Sequence, residues 1–413
     1  MNRLFKWLTI ILALCLPWHG AITVFLPDFF RYWKEIVLVF FFAGFCWEYF
    51  KNIKNKKSLK DWIPAFAGRR DGEIIFAGLF LVYGLVLVLF SADKVSSLMA
   101  FRYLGLGFSV YLLFSLISQN SAKFRKSFKK YFSGTFIFSV TFSTLFGSWM
   151  KFGNGAEITR NFYSQTISSW VPGQTIPLWH EAGNFIRMQG ASSGPIEFSH
   201  LLLVALFLTL ISKLKNLYKI LFSAVFLFGI WQSYSRAAIL GAIIILLFHL
   251  IYPLKDKISE IIKKNKKKVL ITVLVVIFAG FWGIQNTNTL ERAGTLEHFT
   301  RPVEAAKFGL DNIFSNNLGK LGPAARAKNL RENNNDSAMI AENVFIDIFA
   351  QMGIIGLILY LLFFFYLAKE LEPKFLGIFL ASLLVMNLAT IFDMTPVSIL
   401  FFAIFFIGTK KKL

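Results

Sequence analysis

The sequence predicts an all-α, polytopic integral membrane protein of about twelve transmembrane helices, and three observations predict it. Hydrophobic residues make up 56% of the 413 positions, with 49 Phe and a mean hydropathy of +0.58, far more than a soluble core requires. The apolar residues fall in successive runs, most of them long enough to cross a bilayer as a helix. The basic residues alternate with those runs. If the N-terminus is cytoplasmic, 29 of the 44 Lys and Arg lie on the cytoplasmic side and 15 on the other, as the positive-inside rule requires.

In chain order the expected spans are 4–24, 35–50, 73–91, 98–118, 131–150, 194–212, 217–235, 237–254, 268–285, 342–367, 374–392 and 395–409. Between them the basic clusters Arg3 with Lys6, Lys51 to Arg70, Lys123 to Lys130, Lys213 to Lys219, Lys255 to Lys268, Lys369 with Lys374, and Lys410 to Lys412 all fall on one side. Both termini are therefore expected in the cytoplasm. The first span follows Arg3 and Lys6 as a signal peptide would, but it contains Pro17, Trp18 and His19, has no Ala-x-Ala cleavage pattern and runs at once into a second span. It is expected to be retained. The chain reads as a single membrane domain, 1–413, with no separate soluble catalytic unit.

The formal charge of +21 would point to nucleic acid in a soluble protein; here its distribution assigns it to topology, and no nucleic-acid partner is expected. Cys15 and Cys46 both lie inside apolar spans, which argues against a disulfide framework. The histidines, His19, His180, His200, His249 and His298, lack metal-ligand spacing, so neither a metal nor another cofactor is expected. Trp62 to Gly68, in the first cytoplasmic loop, resembles a peptide encoded by dispersed palindromic repeats. It reads as a tolerated insertion.

Polar side chains not explained by topology concentrate in two outward loops, 151–193 and 286–341, where substrate recognition is expected. Arg236, in Ser233-Tyr234-Ser235-Arg236-Ala237-Ala238, sits in a very short outward turn that holds a guanidinium at the membrane surface. Such a planar fork matches phosphate oxygens in pairs; the alternative is an arginine snorkelling from a helix end. The stretch from Glu342 and Asn343 through Asp347, Gly353 and Gly356 puts a polar head on an apolar helix, at the membrane boundary. Asp347, four residues after Asn343, shares its helical face one turn deeper. It is expected to face the bundle interior and to pair with an arginine.

The spacing Asn343, nine residues, Gly353, two residues, Gly356 resembles the signature of the bacterial O-antigen ligase and O-antigen polymerase superfamily, with Glu342 where the family carries histidine. Ser235-Arg236-Ala237-Ala238 resembles its Ser-Arg-small-small element. Arg301-Pro302-Val303-Glu304-Ala305-Ala306, followed by Asn316 to Gly322, resembles a run before the signature helix in which Glu304 replaces an aromatic and Asn317 a proline. Arg187-Met188-Gln189-Gly190 with Gly194-Pro195-Ile196-Glu197 resembles an earlier pair of elements. Together these cover roughly 185–365.

The resemblance implies a GT-C-like protein of the bacterial inner membrane. It would transfer glycan on the periplasmic side from an undecaprenyl-diphosphate-linked donor to an acceptor hydroxyl, on a glycan or on lipid A-core, without a metal. Arg236 and Arg301 would hold the lipid diphosphate, with Arg187 or Arg292 in reserve. Glu342 would be the base, Asn343 would orient it or a sugar hydroxyl, and Asp347 and Ser235 would support the site. The missing histidine tilts the reading toward a polymerase, with a ligase close behind; a flippase or exporter of lipid-linked oligosaccharide is the alternative from another class.

Overall fold

A computed structural model describes residues 3–54, 71–153, 161, 181–182, 185–254, 297–311, 313–314, 316–331, 339–388 and 394–410. The expected span at 268–285 and Arg292 lie outside the described residues. Helix α1 (Arg3–Cys15) passes through a 3₁₀ turn at Leu16–Trp18 into α2 (His19–Phe25), because Pro17 removes an amide that a straight helix would need. Then come α3 (Trp33–Lys54), α4 (Gly72–Leu89), α5 (Lys94–Asn120) and α6 (Ala122–Phe152). Two-residue strands, β1 (Glu181–Ala182) and β2 (Phe185–Ile186), pair antiparallel. The chain continues through α7 (Pro195–Ile211), α8 (Asn216–Gln232), α9 (Arg236–Ile251), α10 (Glu297–Leu310), α11 (Gly322–Arg331), α12 (Val344–Glu370), α13 (Leu376–Leu388) and α14 (Thr395–Gly408).

By length and composition, four stretches can cross a membrane: Arg3–Phe25, Gly72–Leu89, Lys94–Gln119 and Val344–Glu370. Five more apolar helices are shorter, among them α7, α8, α9 and α14. All fourteen residues of α14 are buried, and this helix packs chiefly on α5, with further contacts to α7 and α6. Around it Phe108 stacks on Phe80 with ring centroids 4.2 Å apart and meets Phe402 at 4.9 Å and Phe363 at 4.8 Å. Large apolar residues face outward on the peripheral helices, including Val82 and Phe90 around α4 and Ile355 and Ile358 on α12. An apolar interior inside an apolar rim suits a bundle whose solvent is lipid.

The helices alternate in direction and so define two ends. At one, Leu371 bridges to Thr409, the Lys410 amide donates to the Glu370 carbonyl at 2.7 Å, and Arg125 Nη1 donates to the Thr409 carbonyl at 2.9 Å. Lys129, lying over the Phe375 ring, Lys369 and Lys374 gather there too. At the other end the Ala21 amide meets the Ala191 carbonyl at 2.9 Å, Ser97 Oγ donates to the Leu318 carbonyl at 2.7 Å, and Asp93 pairs with Lys328. Asp93 also caps α5 by accepting from the Ser96 amide at 3.0 Å. The described candidate site residues lie at this second end.

Candidate functional site

Helix α8 ends at Gln232, and a tight turn with Tyr234 at φ +52° leads directly into α9, whose first residue is Arg236. Ser235, buried, is the N-cap position of α9, and its amide donates to Ser233 Oγ at 3.3 Å. The chain arriving from the strand pair docks on this turn: the Met188 amide donates to the Gln232 carbonyl at 2.9 Å and Arg187 Nε to the Ser233 carbonyl at 2.8 Å. Arg187 and Arg236, 49 residues apart in sequence, are thereby brought to one turn.

Lys151, at the end of α6, donates to Gln232 Oε1 at 2.6 Å and lies over the Tyr234 ring. Burial, and then the charge of Arg236, pull the Arg187 guanidinium down to about 10 from its ordinary 12.5. Burial likewise lowers Lys151 to about 8. These cations are held together at a cost in desolvation, and Arg187 also against the repulsion of Arg236; an anion seated among them would relieve the repulsion.

A second group forms where α10 meets α12. Arg301 Nη1 contacts Glu342 Oε1 at 2.5 Å. Glu342 has φ +52°, a backbone form rare outside glycine, which turns its side chain back toward α10. The cap of α12 is the next residue: Asn343 Oδ1 accepts from the Phe345 amide at 3.0 Å and the Ile346 amide at 3.1 Å, satisfying two of the amides a helix start leaves open. Its Nδ2 donates to Asn387 Oδ1 at 3.2 Å. Since Asn343 caps the helix, Glu342 is left with a role other than capping.

Asp347 is buried, as an acidic residue at that depth should be, but its partner is Gln351, whose Nε2 donates to Oδ2 at 3.0 Å, and no arginine pairs with it among the described residues. Gln351 Oε1 in turn accepts from the Gly319 amide at 3.2 Å. Two turns on, the helix breaks. Gly353 has φ 68° and ψ −171°, and around it the Tyr83 hydroxyl donates to the Met352 carbonyl at 3.1 Å and the Ile354 amide to the Ile313 carbonyl at 3.1 Å. The spacing of Gly353 and Gly356 therefore marks a break in α12 as well as close packing.

The two groups share an end because α9 and α13 run antiparallel. Gly377 lies against Phe248, and Gly241 against Val385, so the start of α9 and the end of α13, where Asn387 meets Asn343, point the same way. One polar cluster nearby had no clear signal in the sequence. Lys34, buried, lies 3.3 Å from His19 Nε2, Trp33 Nε1 donates to His19 Nδ1 at 3.2 Å, and Glu35 pairs with Arg102. Only Lys34 and Arg102, as outward basic residues against the charge rule, hinted at it. Among the described residues no group of three or more His, Cys, Asp or Glu is spaced to hold a metal.

Residues 220–361 match the family model for O-antigen ligase, a segment that includes Arg236, Arg301, Glu342, Asn343 and Asp347 and excludes Arg187 and Lys151. A comparison with curated proteins finds no match.

Proposed function

We propose, from the match of residues 220–361 to the O-antigen ligase family model, that the chain is a member of the O-antigen ligase/polymerase superfamily and transfers a glycan from an undecaprenyl-diphosphate-linked donor to an acceptor sugar hydroxyl at the periplasmic face of the inner membrane. The observation that carries this reading is the collection of Arg187, Arg236 and the Arg301–Glu342 pair at one end of the bundle, opposite the end where Lys129, Lys369 and Lys374 gather. Arg187 and Arg236 would hold the diphosphate, whose charge grows as the glycosidic bond breaks. The acceptor oxygen attacks the anomeric carbon, the bond to the diphosphate oxygen breaks, lipid diphosphate leaves, and the hydroxyl proton passes to Glu342.

Arg301 would work on both sides of this step. A guanidinium carries five N–H donors, enough to bridge a carboxylate and a phosphate oxygen, and Arg301 already contacts Glu342 at 2.5 Å. A glutamate at the position of the family histidine favours repeat-unit polymerisation over ligation to lipid A-core. Lipopolysaccharide banding of a deletion strain tests the choice. Core bearing one unit identifies a polymerase, bare core with lipid-linked polymer a ligase, and single units retained on the cytoplasmic face a flippase.

A further inference from the structure

The segment read as the second outward loop, 286–341, contains a descending element. Helix α10 runs beside the first part of α12, in the same direction: Arg301 meets Glu342, Ala305 clusters with Ala341 and Ala350, Gly309 lies against Phe349, and the Ile313 carbonyl receives the Ile354 amide. The chain then climbs back, with Asn316 bonded to the Leu87 carbonyl and Ser97 to the Leu318 carbonyl. Gly353 is nine residues into α12 and Tyr83, bonded to Met352, is six residues before the end of α4. At 1.5 Å per residue the bottom of the descent therefore lies roughly 9 to 14 Å below those helix ends.

Apolar side chains at that depth face outward: Leu310 is 59% exposed, Ile313 37% and Phe314 82%, next to Ile355 and Ile358 at 44% and 48% on α12; Asp311, beside Leu310, is exposed as well. Resting on the reading that α12 spans a membrane, we propose that Leu310, Ile313 and Phe314 insert among the acyl chains of the outer half of the bilayer. They extend the lipid-facing strip of α12 sideways. Helix α10 is then a re-entrant anchor, tolerated at membrane depth because the break at Gly353 and the polar groups of Asn316 and Gln351 satisfy its returning backbone. Its polar start carries Arg301, so the anchor fixes the height of the Arg301–Glu342 pair relative to the membrane surface.

Nitroxide labelling in lipid vesicles tests this. In a background carrying Cys15→Ala and Cys46→Ala, single labels at Phe314→Cys, Ile358→Cys and Arg326→Cys are compared for collision with oxygen, which partitions into lipid, and with a nickel chelate, which stays in water. The expected result is an oxygen-to-nickel ratio at 314 that falls with that at 358 and well above that at 326. A label at 314 that behaves like 326 while 358 remains lipid-like overturns the insertion and leaves the membrane span intact. Shielding of 314 from both reagents means that protein covers the tip, which also overturns it. If 358 itself behaves like 326, the spanning of α12 fails and the proposal with it. Leu310→Cys carries the same measurement if Phe314→Cys does not accumulate.

Discussion

Replacing Gly353 by alanine tests how much of the site depends on the break in α12. At φ 68° and ψ −171° the residue occupies a region of backbone space open essentially to glycine alone, where another residue costs about 1–3 kcal/mol. An added Cβ would also lie 2.5 Å from the Ile313 carbonyl oxygen, the atom that accepts the Ile354 amide. Losing that bond adds about 1 kcal/mol, and displacing the Ile313 turn adds more. The expected total is roughly 3–5 kcal/mol, or else α12 straightens and carries Glu342 away from Arg301. Thermal unfolding of the purified protein in detergent, together with glycan banding in vivo, reads both outcomes. Gly78→Ala is the control, since nothing lies within 4 Å of its added carbon. A Gly353→Ala protein that melts with the wild type and makes normal glycan would refute the reasoning.

Arg236→Lys should lose most transfer activity while the protein still inserts and accumulates, because a point charge on a flexible stem does not reproduce paired contacts to phosphate; near-normal banding would return Arg236 to a snorkelling role. Glu342→Gln should abolish visible polymer, since loss of a general base costs about 10² to 10⁴ in rate, whereas Glu342→His should retain partial activity; normal-length glycan from the glutamine variant removes the base assignment. Introduced cysteines at 155–190 and 290–335 should react with periplasmic reagent, apart from the tip at 310–314, and those at 51–70 and 255–268 should be protected; reversed labelling would take away the periplasmic site. Asp93, held down to about 2 from 3.8 by the Ser96 bonds and Lys328, contributes stability that is present above about pH 4 and lost as the pH falls toward 2. Asp93→Asn should flatten that part of the unfolding profile, and an unchanged acid limb would show that the pair is too exposed to matter.

The helices were legible because a bilayer demands apolar runs of known length, and each described span is helical over most of its length. The break in α12 was hidden for a physical reason. Glycine is frequent in membrane helices, and the need for a positive φ arises only when the Ile313 carbonyl arrives from forty residues earlier to take the Ile354 amide. Asp347 shows the opposite case: Gln351, one turn on and on the same face, was in view throughout, but charge reasoning pointed to an arginine. Resemblance singled out both Arg187 and Arg236, but their meeting rests on the Met188–Gln232 bond, a tertiary contact with no local signature. Lys151 is the first residue of the outward loop 151–193. Its contact with Gln232 required the fold.

Helix α14, buried along its whole length, is made after α5, α6 and α7, the helices it packs against. The segments that enclose it, α5, α6 and α7, enter the membrane first and can close on one another only after Thr395 to Gly408 has slipped between them. Until then their inner faces, including Phe108 on α5, are wetted by lipid or held by the insertion machinery. The bundle is therefore completed from its periphery inward, and a ribosome stalled before residue 395 would leave α5, α6 and α7 inserted without the helix they pack against.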